Sequence, residues 1–112
     1  MGPREVVPVE RLQPELCSMV MAATADAAAR VIECRHGEHG DEYEVHAIAG
    51  DRFVHMLLTV RPDDSVEETI HSEPLERVQV VATGTERATL RLPDDIVAIP
   101  LEIVAALAKP EV

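Results

Sequence analysis

The stretch VHAIAGDRFVH, Val45 to His55, decides how this chain folds. Apolar and polar residues alternate on either side of Gly50-Asp51. That pair carries the chemistry of a two-residue hairpin turn, because glycine takes positive φ without strain. A turn there fixes the register: Ala49 faces Arg52, Ile48 faces Phe53, Ala47 faces Val54, His46 faces His55 and Val45 faces Met56. Val45, Ala47, Val54, Met56, Leu58 and Val60 then share one face, a coherent apolar set. Glu44, His46, Ile48, Phe53, His55, Leu57 and Thr59 fall on the other.

The period of two continues downstream. After the turn RPDDS, residues 66–72 read as a third strand. Residues 75–82 and 86–92 flank TGT as two more, and 96–99 adds a short one. The polar segment RHGEHGDE, 35–42, reads as a loop. Residues 31–35 are either a short strand or the end of a helix. Upstream, Pro14 suits a first helical turn and Glu15 suits the positive end of the helix dipole. Leu16, Met19, Val20, Ala23, Ala27 and Val31 follow helical spacing, which predicts a long N-terminal helix. Cys17, Met21, Ala25 and Ala28 make its remaining surface largely apolar. A second subunit on that surface would explain this, and so would the intrinsic helix propensity of alanine. Residues 1–9, with Pro3 and Pro8, read as a tail or short edge segment. PLEIVAALAK, starting at Pro100, reads as a short helix stopped at Lys109-Pro110.

The expected fold is a single α+β domain over residues 10–112. A long N-terminal helix packs on an antiparallel meander of five to seven strands, followed by a short C-terminal helix. In element order alone this resembles the pleckstrin-homology-like barrels.

Composition narrows the function. A chain of 112 residues fits one domain. With 46% apolar and 28% charged residues, it has the balance of a soluble globular protein. Tyr43 and Phe53 are the aromatics, a poor set for stacking on bases. The formal charge is -11, Lys109 is the sole lysine, and no basic cluster exists. A phosphate backbone or anionic membrane would meet a repulsive field, so neither is an expected partner. Cys17 and Cys34 form no CxxC pair and read as reduced thiols, which points to the cytoplasm. The longest apolar stretch is broken by Asp26 and Arg30 and is too short and polar to cross a bilayer. The first residues lack the pattern of a secretory leader or a myristoylation signal.

Chemistry concentrates on the histidines. His46 and His55 face each other with Cβ atoms about 5 Å apart, close enough to share a metal ion. An odd-length loop around RPDDS brings Val66 and Ile70 to the apolar face. It puts Glu67, Thr69 and His71 on the face of His46 and His55. His46, His55 and His71 then form a three-histidine set for a divalent metal such as zinc, with Glu44 or Glu67 as carboxylate or base. A one-residue slip of register would scatter them, leaving ordinary half-exposed strand histidines. Cys34, His36 and His39 make a second cluster, with Asp41 or Glu42 nearby. It lacks the separated ligand pair of a structural zinc site. ATGTE is not a phosphate loop, no serine sits in a nucleophile elbow, and Asp63-Asp64 and Asp94-Asp95 follow Pro in turns.

Three functional expectations follow. The first is an acidic, non-catalytic interaction domain that binds another protein or itself. As a homodimer it would use the helix residues Leu16, Met19, Val20, Ala23 and Ala27. The second is a metal-binding protein or metal-dependent enzyme using His46, His55 and His71. The third is a binder of a small apolar ligand, held between the helix and the face carrying Ile48, Phe53 and Leu57.

Overall fold

A computed structural model describes residues 4–107. Glu5–Val6 forms β1, and Pro14–Ala23 forms α1. Four long strands follow: β2 (Ala27–Gly37), β3 (Gly40–Ala49), β4 (Arg52–Val60) and β5 (Val66–Pro74). After a 3-10 turn at Leu75–Arg77 come β6 (Gln79–Thr83), β7 (Arg87–Leu92), β8 (Asp95–Pro100) and α2 (Leu101–Leu107). The fold is α+β. Its strands form two antiparallel sheets, ordered β1-β2-β3-β4-β5 and β6-β7-β8, rather than the single meander expected. The break comes at Pro74, which has no N–H to give a ladder, and at the turn behind it.

The β3–β4 hairpin has the register its turn dictates. His46 opposes His55, Val45 opposes Met56 and Ile48 opposes Phe53. Gly50 takes φ +61 in the turn. On the next ladder Met56 opposes Ile70 and His55 opposes His71, as the odd-length loop requires.

The long N-terminal helix does not form; α1 has 10 residues and stops at Ala23. The Thr24 hydroxyl donates to the Val20 carbonyl (2.7 Å), and Arg30 donates to the Thr24 hydroxyl and carbonyl, each at 2.9 Å. Asp26 then turns the chain with φ 60. Ala27 therefore begins β2 instead of extending the helix. Nor is 35–42 a loop: β2 and β3 run on to a tight turn at Glu38-His39, with Gly37 opposite Gly40. Gly40 takes φ +124, and a Cβ there would overlap the Val60 carbonyl oxygen, so this tip needs glycine. Part of the expected tail is an edge strand, since Glu5 pairs with Cys34 and Val6 with Glu33. The Lys109-Pro110 stop lies outside the described residues.

Each face of the larger sheet carries a buried apolar layer. On one, Leu12, Leu16 and Val20 pack on Ile32, Val45, Ala47, Val54, Met56 and Leu58. On the other, Val31, Ile48 and Phe53 pack against Ala88, Leu90, Leu92, Val97 and Ile99 of the smaller sheet and Ile103 of α2. Fully burying each large apolar side chain contributes roughly 1.5–3 kcal/mol, so two such layers can hold a chain of this size without disulfides. No helix among the described residues is long and apolar enough to cross a membrane.

Candidate metal centre

The face that meets the smaller sheet is not apolar throughout. Beyond Val31, Ile48 and Phe53 it becomes a polar group of Glu33 (β2), Glu44 and His46 (β3) and His55 (β4). Glu33 directly opposes Glu44, and His46 directly opposes His55. Opposed like charges are unfavourable unless countered. Two arginines counter them. Arg87, from the smaller sheet, donates from Nη1 to Glu33 Oε2 at 2.8 Å. Arg4 Nη1 lies 2.9 Å from Glu44 Oε1 and 3.7 Å from Glu33 Oε1. The Arg87 pair also ties the two sheets together across the polar layer.

His46 is the unusual member. It is 0% exposed, and neither ring nitrogen has a hydrogen-bond partner among the protein atoms. Its Nε2 lies 3.5 Å from Glu33 Oε1 and 3.6 Å from Glu44 Oε2, too far for a hydrogen bond. Burial pushes its pKa down to about 4, outweighing the attraction of the Glu44 and Glu33 carboxylates; His55 and Arg87 push the same way. The ring is therefore neutral near pH 7 and keeps a basic lone pair. Glu33 Oε1 and Arg87 Nε are buried without hydrogen-bond partners as well. Buried polar atoms left unpaired are rare, and several in one place single out this group.

His55 Nε2–H donates to Glu44 Oε2 at 2.7 Å. Its ring stacks on Phe53, with centroids 6.5 Å apart and planes at 7°, which fixes its orientation. Its centroid is 5.1 Å from that of His46. Burial alone would raise the Glu44 pKa. The His55 hydrogen bond, with the His46, His55 and Arg4 charges present at the acid pH where a carboxyl titrates, overcomes this and holds the carboxyl below its ordinary value. Glu44 is thus an anionic donor beside two imidazoles.

One donor atom from each of Glu44, His46 and His55 lies within 4.8 Å of the others. Metal–donor lengths of about 2.0–2.2 Å at tetrahedral angles separate donors by about 3.4 Å. The 3.5 and 3.6 Å spacings around His46 Nε2 are close to that value. The 2.7 Å His55–Glu44 contact would have to open, with the His55 proton moved from Nε2 to Nδ1 so that Nε2 can bind. A surface cleft of about 240 Å³ lined by Arg4, Glu33, Arg35, Glu42, Glu44 and Leu57 reaches both carboxylates. It has room for several waters at about 30 Å³ each, enough for a hydrated cation to approach.

The other residues singled out by the sequence lie elsewhere. His71 opposes His55 across β4–β5, but its Nε2–H donates to Glu73 (2.7 Å), and it is not in the donor group. Glu67 pairs with Arg61. Cys34, His36 and His39 do not converge on a metal-sized site. His36 pairs with Asp41 at 2.7 Å. The Cys34 pKa is raised by burial and by the Asp41 and Glu5 charges, against a Tyr43 hydrogen bond, so it stays a protonated thiol and a poor ligand. Leu16 and Val20 are buried in the chain's own core, while Met19, Ala23 and Ala27 lie half-buried against it. Ile48 and Phe53 are buried against the smaller sheet, not against α1, and Leu57 is exposed. Glu33 and Arg87 were not anticipated: one falls where helix and strand compete, the other comes from a different sheet. Scans of family models, of curated proteins and of solved structures found no match to this chain.

Proposed function

We propose that this protein binds a divalent transition metal through Glu44, His46 and His55, with the Glu33 carboxylate beside His46. The observation that carries this is His46: a neutral, fully buried imidazole whose unpartnered Nε2 lies 3.5 and 3.6 Å from two carboxylate oxygens. Two nitrogens with one or two oxygens suit zinc, and also iron or manganese. A set of three protein donors keeps a coordination position for water, and here that position would face the cleft. The formal charge of -11 favours cation capture over anion capture.

Cobalt(II) titration of chelator-stripped protein tests the reading. One equivalent should produce visible absorption of four- or five-coordinate geometry, and zinc should displace it. Glu44→Gln and His55→Gln should each weaken binding by roughly 100-fold or more, beyond the 10–100-fold typical of losing an outer-shell partner. Absence of cobalt absorption, or unchanged affinity in both variants, would contradict the reading.

A further inference from the structure

The edges of the two sheets are built differently. β1 is 2 residues long. β6 has an irregular register between Val80 and Ala82, and β8 is 6 residues ending in Pro100. Short strands, bulges and prolines are the usual means of blocking an edge. β5 has none of these three over most of its length, although Glu67, Glu68 and Glu73 set acidic side chains along it. Its 9 residues pair with β4 without a break from Val66 to Pro74, and proline comes only at the end. Among the described residues no strand pairs with its outer side. Glu67, Glu68, Thr69 and Ile70 are exposed, Ile70 at 48%.

We propose that a second copy of this chain adds antiparallel to the outer edge of β5, with the two-fold axis at Thr69. This does not depend on the metal centre. A two-fold that continues a sheet keeps each face on its own side, so the axis must pass through a residue, not between two. Three central residues are available. An axis at Ile70 sets Glu67 against the partner's Glu73, two like charges. An axis at His71 sets imidazole against imidazole and Glu68 against proline. An axis at Thr69 sets Thr69 against Thr69 and places Glu67 opposite the partner's His71 on both sides. Val66 then opposes Ser72, and Glu68 opposes Ile70. Thr–Thr and opposite-charge cross-strand pairs stabilise, whereas like charges do not, and the Glu67–His71 pair would form in place of the Arg61–Glu67 and His71–Glu73 contacts within each chain. The net charge of -11 per chain opposes self-association, so a register without opposed acids is required.

Sedimentation and cysteine cross-linking of the full chain test this. Wild type should sediment at twice 12.3 kDa at micromolar concentration, and Thr69→Lys at 12.3 kDa, because two ammonium groups would meet on the axis. Directly opposed residues have Cα atoms about 4.5–5.5 Å apart, within disulfide range. Under mild oxidation Thr69→Cys should therefore cross-link in most molecules. The Cα atoms of the two Ile70 residues would be about 8 Å apart, so Ile70→Cys should cross-link no more than wild type. A 12.3 kDa wild type, a Thr69→Lys protein that still dimerises, or an Ile70→Cys protein that cross-links as readily as Thr69→Cys would each overturn the proposal.

Discussion

Phe53→Ala should lower the free energy of unfolding by about 3–5 kcal/mol, the usual cost of emptying a buried aromatic site. Phe53 is 1% exposed and is the buried aromatic of the layer between the sheets, among Ile48, Leu90, Ile99 and Ile103. Its removal opens a cavity where the smaller sheet meets the larger, and α2 contributes to the same layer. Domains of this kind hold about 5–15 kcal/mol in total, so the variant would approach the limit of folding. It would also free the His55 ring, which stacks on Phe53. Leu57, four residues along the same strand and face, is 40% exposed. Leu57→Ala should cost no more than about 0.5–1 kcal/mol. Urea unfolding measures both. Equal midpoints would mean that the smaller sheet does not cover Phe53 in solution.

His46→Leu should act in opposite directions with and without metal. Leucine removes two buried nitrogens that lack partners, each of which costs about 1–3 kcal/mol when orphaned. It is close to imidazole in size and sits opposite Val31, next to the apolar layer. In metal-free buffer the variant should melt several degrees above wild type. With zinc the order should reverse. At a free concentration of 100 times its dissociation constant, a ligand stabilises its protein by about 2.7 kcal/mol, and the variant should gain none of this. Calorimetric melting of both proteins, with chelator and with zinc, gives the four values required. A variant that is less stable in chelator and still stabilised by zinc would remove His46 from the site.

How much of this was legible depended on what set each element. The β3–β4 hairpin could be read because its turn and its alternation are local, and both point to the same register. The β4–β5 ladder followed because Val66 and Ile70 had to join the apolar face. The end of α1 could not be read. Alanine favours helix over strand, so Ala22–Ala23 and Ala27–Ala29 read as one continuous helix, and the stop comes from Thr24, Asp26 and Arg30 acting together. Residues 35–42 read as a loop because both sides of a hairpin tip are solvated and carry no apolar alternation. The second core layer was hidden because its other half comes from β7, β8 and α2. The same limits apply to the site. Glu44, His46 and His55 lie on one hairpin and were legible together. Arg4, Glu33 and Arg87 are brought to them by tertiary structure.

The most direct test is an anomalous difference map from crystals grown with zinc. One strong peak per chain is expected, about 2.0–2.2 Å from His46 Nε2, a His55 ring nitrogen and a Glu44 carboxylate oxygen. Peaks only at the exposed His36–His39 hairpin tip, or none near His46, would contradict the proposed metal site.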